Sequence, residues 1–137
     1  MEIIVLIGIA VLVFLSAAVQ HASTALARGV GFVMSDRSEP LPETGFTGRA
    51  RRTLQNTLES SAMMAPLAVV ALVTGAATPV TQAAGAVYLA ARLTFCLAYW
   101  LGISLVRSLS WAAGMAAIAV TFTVLTVQLL SAAGGGS

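Results

Sequence analysis

Four apolar runs, at about residues 3–26, 53–74, 79–106 and 109–133, take up nearly the whole chain. A bilayer core about 30 Å thick needs roughly 20 apolar residues of helix to cross it, so each run is long enough to span. The expected fold is an all-α membrane protein, a four-transmembrane-helix bundle forming a single domain over residues 1–133. Composition points the same way: 58% of residues are hydrophobic and 9% charged, where a soluble domain carries about 25% charged residues. Nothing is left over for a separate soluble module.

The first run opens on Glu2 rather than a basic cluster and stays apolar almost to Arg28, so it reads as a retained span and not a secretory signal. Residues 134–137, Gly-Gly-Gly-Ser, read as a flexible linker scar or equally as a natural tail. Orientation follows from the arginines. Arg28, Arg37, Arg49, Arg51 and Arg52 crowd the first loop and the start of the second span, Arg107 sits in the third loop at 102–110, and the second loop at 75–79 is uncharged. The positive-inside rule then puts the first and third loops in the cytoplasm and both termini outside. A net charge of +2 is too small to argue for a nucleic-acid partner.

The first loop, 29–48, holds Pro40 and Pro42 with Asp36, Glu39 and Glu43, and is expected to be irregular, with Thr47 as the N-cap of the second helix. Beyond it, charged and amide side chains enter a membrane-bound helix. Arg49, Arg52, Asn56 and Glu59 follow one another at three, four and three residues, which at about 100° per residue confines them to an arc of roughly 80°. A charge at membrane depth costs about 2.5–3.5 kcal/mol even on lenient scales, so it is retained facing protein, water or ligand.

Gly85, Tyr88, Arg92, Phe95 and Tyr99 form a second single-face stripe in the third span. Arg92 needs a partner, and the only acid at comparable depth is Glu59. The two stripes are expected to face each other, with Arg92 paired to Glu59, either as part of a ligand site or as an ion pair that fixes helix register. Arg107 stands at the mouth of the bundle within reach of a ligand, or serves only as a positive-inside anchor. Cys96 reads as a small buried residue, His21 as interfacial, and Trp100 and Trp111 as an aromatic belt. The small residues from Ala112 to Ala117 offer close helix packing. One Cys and one His exclude a metal or disulfide framework.

Arg49-x-x-Arg52-x-x-x-Asn56-x-x-Glu59 at the head of the second span, with Arg92 and Tyr99 seven residues apart and Arg107-Ser108 beyond them, resembles the membrane-associated proteins in eicosanoid and glutathione metabolism, the MAPEG family. The resemblance implies a homotrimer of four-helix subunits in a bacterial inner membrane. It also implies glutathione as co-substrate near the cytoplasmic side, between subunits, and a lipophilic second substrate arriving from the bilayer. It places Arg52, Asn56, Glu59, Arg92 and Ser108 on glutathione, with Arg28 reaching in from an adjacent subunit. Tyr99 and Arg107 take the catalytic positions, Arg107 beside the thiol. Phe95, Ser60 and a Tyr99-to-Arg107 spacing one residue short depart from the eicosanoid-forming members.

That chemistry is reasonable on its own terms. Arginine forks suit glutathione's two carboxylates, Glu59 its ammonium and Asn56 a peptide amide. Lowering a thiol pKa from about 8.5 by two units takes roughly 2.7 kcal/mol of thiolate stabilisation, within the means of one guanidinium in a partly dry site. The resulting reading is a glutathione-dependent transferase or peroxidase. The alternatives are a non-catalytic accessory subunit with the same fold, and a small proton-coupled exporter, which would want a carboxylate free of arginine company.

Overall fold

The computed structural model describes residues 1–36, 40 and 44–134. Arg37, Ser38, Glu39, Pro42 and Glu43 of the first loop, and residues 135–137 of the tail, lie outside the described residues. Four long helices cross: α1 (Glu2–Arg28), α3 (Gly45–Thr74), α4 (Pro79–Leu101) and α5 (Ser104–Gly134), with a single-turn α2 (Val30–Val33) after α1. Each of the four has the length and hydropathy of a membrane span, and among the described residues there is no strand. The chain is an integral membrane protein.

The turns are written in local chemistry. Thr78 caps α4 in a reciprocal capping box with Thr81, and Pro79 occupies the first turn, where its missing N–H costs nothing. At the other end of α4, Gly102 turns left-handed at φ 78°. The Gly102 N–H then bonds to the Tyr99 carbonyl at 3.2 Å and the Ile103 N–H to the Ala98 carbonyl at 2.8 Å, a Schellman closure. α5 starts immediately afterwards at Ser104.

This corrects the sequence reading. The third span ends at Leu101 and not near residue 106, the connection is Gly102–Ile103, and Arg107 rides on α5 instead of a loop. The serines that read as loop lie within the helix with their hydroxyls bonded back one turn, Ser108 to the Ser104 carbonyl at 3.0 Å and Ser110 to the Val106 carbonyl at 2.7 Å. α3 also begins earlier than expected, at Gly45 with Thr44 at its N-cap. Thr47 lies inside the helix, buried, with its hydroxyl directed to the Ser23 carbonyl of α1 at 3.4 Å.

Helices α1 and α3 pack along one another, as do α4 and α5, with α1 and α3 crossing α4. The interior is layered. Towards the α3–α4 turn it is aliphatic, with Val5, Ile9, Met64, Ala68 and Ala84 in one cluster. Towards the α4–α5 turn it is lined by hydroxyls, with Ser16, Thr53, Thr57 and Ser60 buried. Most of these hydroxyls return to the carbonyl three or four residues earlier, as Thr53 does to Arg49 and Thr57 to Thr53, so these small polar side chains pack at membrane depth with their donors satisfied, whereas the buried Ser61 hydroxyl has no partner among the described residues. Tyr88 of α4 closes the layer, its hydroxyl 3.2 Å from that of Ser60.

Candidate functional site

The start of α3, the end of α4 and the start of α5 meet at one end of the bundle. The Gly102 turn sends α5 back beside α4, which brings Arg107 next to Tyr99 despite the residues between them. The Arg107 guanidinium carbon lies 5.1 Å from the centre of the Tyr99 ring, a cation over an aromatic face, while its Nη2 reaches the Ser108 hydroxyl at 3.4 Å. From the other side, Arg52 Nε donates to the Tyr99 hydroxyl at 3.2 Å. Phe95, one turn earlier, meets Tyr99 edge to face at 5.3 Å and 74°.

Two adjoining cavities share Tyr99 and Arg107. The first, about 240 Å³, is bordered by Arg49, Arg52 and Arg107 with Gly45, Gly102 and Ser104. The second, about 220 Å³, is bordered by Asn56, Phe95, Ser108 and Trp111. Among the described residues, three guanidinium groups and no carboxylate line the first, and one guanidinium the second. The pair attracts anions and also presents the Asn56 amide, the hydroxyls of Tyr99, Ser104 and Ser108, and the Trp111 indole.

The expected residues are distributed unevenly. Arg52, Asn56, Tyr99, Arg107 and Ser108 border the two cavities. Glu59 borders neither: it is exposed on the outer side of α3 and accepts a hydrogen bond from Gln55 Nε2 at 3.0 Å. Arg28 is exposed at the end of α1, donating to the Pro40 carbonyl at 3.2 Å and lying 5.1 Å from the Phe32 ring centre. Arg92 borders neither cavity. It is only 2% exposed, and it does not pair with Glu59. Its Nη2 donates to the Thr57 hydroxyl at 3.3 Å, and its guanidinium carbon stacks 4.2 Å from the Phe95 ring centre.

The correction has a helical cause. The side of α3 that faces α4 is Thr53, Thr57 and Ser60, whereas Glu59 points away. The stem of Arg92 runs past Gly114 of α5, where an added Cβ would sit 3.5 Å from Arg92 Cδ. Cys96 is buried as expected, its sulfur 3.6 Å from the Thr57 hydroxyl and 3.8 Å from that of Ser16. Among the bordering residues that the expected ligand set omitted are Arg49, visible as the first member of the polar stripe, and Trp111, read only as part of an aromatic belt.

Fold and site together define a four-span integral membrane protein with a guanidinium-rich polar site at one end of its bundle. The chain matches the model of the MAPEG family over residues 1–127 and belongs to that family, whose members are glutathione-dependent transferases, peroxidases and related proteins. No curated protein and no solved structure matches it.

Proposed function

We propose that this protein is a glutathione-dependent membrane transferase or peroxidase acting on a lipophilic electrophile, with residues 1–133 as its single domain. The observation that carries this reading is the convergence of Arg52, Tyr99 and Arg107, through a 3.2 Å hydrogen bond and a 5.1 Å cation–ring contact, at cavities that also hold Asn56. The donor set suits glutathione. Arginines match its carboxylates, and Asn56, whose Nδ2 donates to the Arg52 carbonyl at 3.2 Å, has a second N–H and an amide oxygen to offer a peptide group.

Arg107 would stabilise the thiolate. The Tyr99 hydroxyl, because it accepts from Arg52, keeps its own hydrogen for a ligand sulfur. In a transfer, the sulfur forms a bond to the electrophilic carbon, the leaving group departs with the electron pair, and the thiol proton passes to solvent. In a peroxidase cycle, two glutathione thiols are oxidised to the disulfide while a hydroperoxide is reduced to alcohol and water.

Glu59 is the expected partner of the glutathione ammonium, yet it lies outside both cavities and is exposed on a membrane helix. A carboxylate there cannot be left facing lipid, which supports a homotrimer in which a neighbouring copy covers α3 and completes the site. Arg28 from that copy remains the candidate addition. The arginine-rich end would then face the cytoplasm of a bacterial inner membrane, where glutathione is available. A non-catalytic accessory role is the second reading, favoured by Phe95, which offers no hydroxyl at the wall between Arg92 and Tyr99.

The test is thermal unfolding of the detergent-solubilised protein with and without glutathione. A ligand bound only by the folded state at a hundredfold excess over Kd stabilises by about 2.7 kcal/mol. Wild type should show the shift and Arg52→Ala should lose it. No shift in wild type at any glutathione concentration would rule the reading out.

A further inference from the structure

Arg49, Arg52 and Arg107 border one 240 Å³ cavity, with no carboxylate among the described residues that line it. Like charges gathered in one place repel, and among the described residues the groups that contact Arg49 and Arg107 are neutral. Arg49 Nε donates to the Trp100 carbonyl at 3.3 Å, and its guanidinium carbon lies 5.8 Å from the Phe46 ring centre. Arg107 rests on Ser108 and the Tyr99 ring. Each therefore keeps N–H donors for an anion.

The surroundings of this cavity are apolar. Leu101 is 73% exposed, Leu105 69% and Phe46 44%, and all three flank the α4–α5 turn or the start of α3, where the spans leave the bilayer. A small soluble anion would satisfy the arginines and leave these side chains in water. A lipid satisfies both, its phosphate among the guanidiniums and its chains along the leucines. Guanidinium forks match phosphate oxygens in bidentate fashion. Ile103 and Ser104 complete the wall with the positive N-terminal end of α5. Gly45 and Gly102 leave open space there, with nothing within 4 Å of where a Cβ would stand.

We infer that this cavity binds the phosphate of an anionic phospholipid headgroup, with Arg49 and Arg107 as its principal ligands. The cavity shares Arg52, Tyr99 and Arg107 with the proposed glutathione site, so the two ligands compete for it, and Arg49, which the glutathione reading does not use, is the residue whose variants separate a failure of this inference from a failure of that reading. The full-length protein, in mixed micelles of detergent with phosphatidylcholine alone or with added phosphatidylglycerol, is titrated by unfolding temperature. Phosphatidylglycerol should stabilise it saturably and beyond phosphatidylcholine. Arg49→Gln should weaken that response about tenfold, the loss of one charge-assisted hydrogen-bonding group, and Arg49→Lys should restore part of it.

Ser104→Glu is the second variant, because an acid in the first turn of a helix favours folding while placing a negative charge in the cavity wall. It should abolish the preference for phosphatidylglycerol. A parallel titration with glycerol phosphate distinguishes the source: stabilisation by the lipid alone supports a headgroup, and stabilisation by glycerol phosphate supports the phosphate site with a soluble ligand. A phosphatidylglycerol response that is absent in wild type without any glycerol phosphate response, or unchanged in both Arg49→Gln and Ser104→Glu, overturns the inference.

Discussion

Arg92 is buried in the bundle, and among the described residues no acid forms an ion pair with it. Removing one partner of a buried ion pair is costly because it strands the other, whereas replacing buried charges without stranding a partner, as when a whole ion pair gives way to well-packed apolar side chains, is often neutral or stabilising by about 1–4 kcal/mol. With Thr57 and the Phe95 ring as its contacts, Arg92 belongs to the second case. Arg92→Met should hold or raise the unfolding temperature, and Arg92→Ala should lower it by opening a cavity. A large loss in Arg92→Met would show that the charge itself is structural. The same geometry separates Glu59 from fold stability: Glu59→Gln should leave baseline unfolding unchanged, since no buried cation loses a partner, while abolishing the glutathione response. Arg107 is tested by rate. If it stabilises a thiolate, Arg107→Ala should reduce conjugation of a chromogenic electrophile about 10²-fold, equivalent to ~2.7 kcal/mol, with glutathione affinity changed only a few-fold. Equal losses of binding and rate would make it a carboxylate anchor.

At the level of helices, packing decides what spacing cannot. Where α1 crosses α4, a Cβ on Gly85 would come within 2.8 Å of Val5 Cγ2, and one on Gly8 within 2.6 Å of Leu89 Cδ2. Val5 is β-branched and 2% exposed, so its methyl has nowhere to go, whereas Leu89 is only half-buried and has a further torsion to turn. Gly85→Ala should therefore lower stability by about 1–3 kcal/mol through overpacking, offset in part by about 1 kcal/mol of helix propensity. Gly8→Ala should cost less, and thermal unfolding of the two variants orders them. The four spans were legible because length and hydropathy alone define them. The α4–α5 boundary was not, because Ser104, Ser108 and Ser110 look like loop residues until the hydroxyls of Ser108 and Ser110 are seen to bond to carbonyls of their own helix. Spacing revealed the stripe from Arg49 to Glu59 as one face, but not its neighbour. Thr53 and Thr57 took the inward side, and Glu59 was left outside. The approach of Arg107 to Tyr99 depends on the Gly102 turn, a relation between two helices that no spacing within either one contains.

For the molecule as a whole, the question is what surrounds it. Between 22% and 44% of each span's most apolar window is buried within the subunit, so most of the helical surface meets lipid or another copy. Aliphatic faces tolerate either. The outer side of α3 does not, because Arg52, Gln55 and Glu59 are all exposed there on a helix that crosses the membrane. Burying that side against a neighbour that itself carries polar groups removes the cost of setting charges against hydrocarbon, and closed symmetry around such a contact gives a ring of identical subunits. Native mass spectrometry of the detergent-solubilised protein should find three subunits, and Glu59→Arg, which sets a like charge near Arg52, should drive dissociation. A wild-type monomer would leave Glu59 facing lipid and refute the trimer. Orientation is tested in the same preparation before lysis. If the arginine-rich end is cytoplasmic, a cysteine at Ala77, in the α3–α4 turn, reacts with an impermeant thiol reagent in intact cells. One at Ser35, beyond α2, reacts only after permeabilisation. Buried Cys96 contributes no background. Labelling of Ser35→Cys alone in intact cells would place the guanidinium site outside, away from cytosolic glutathione.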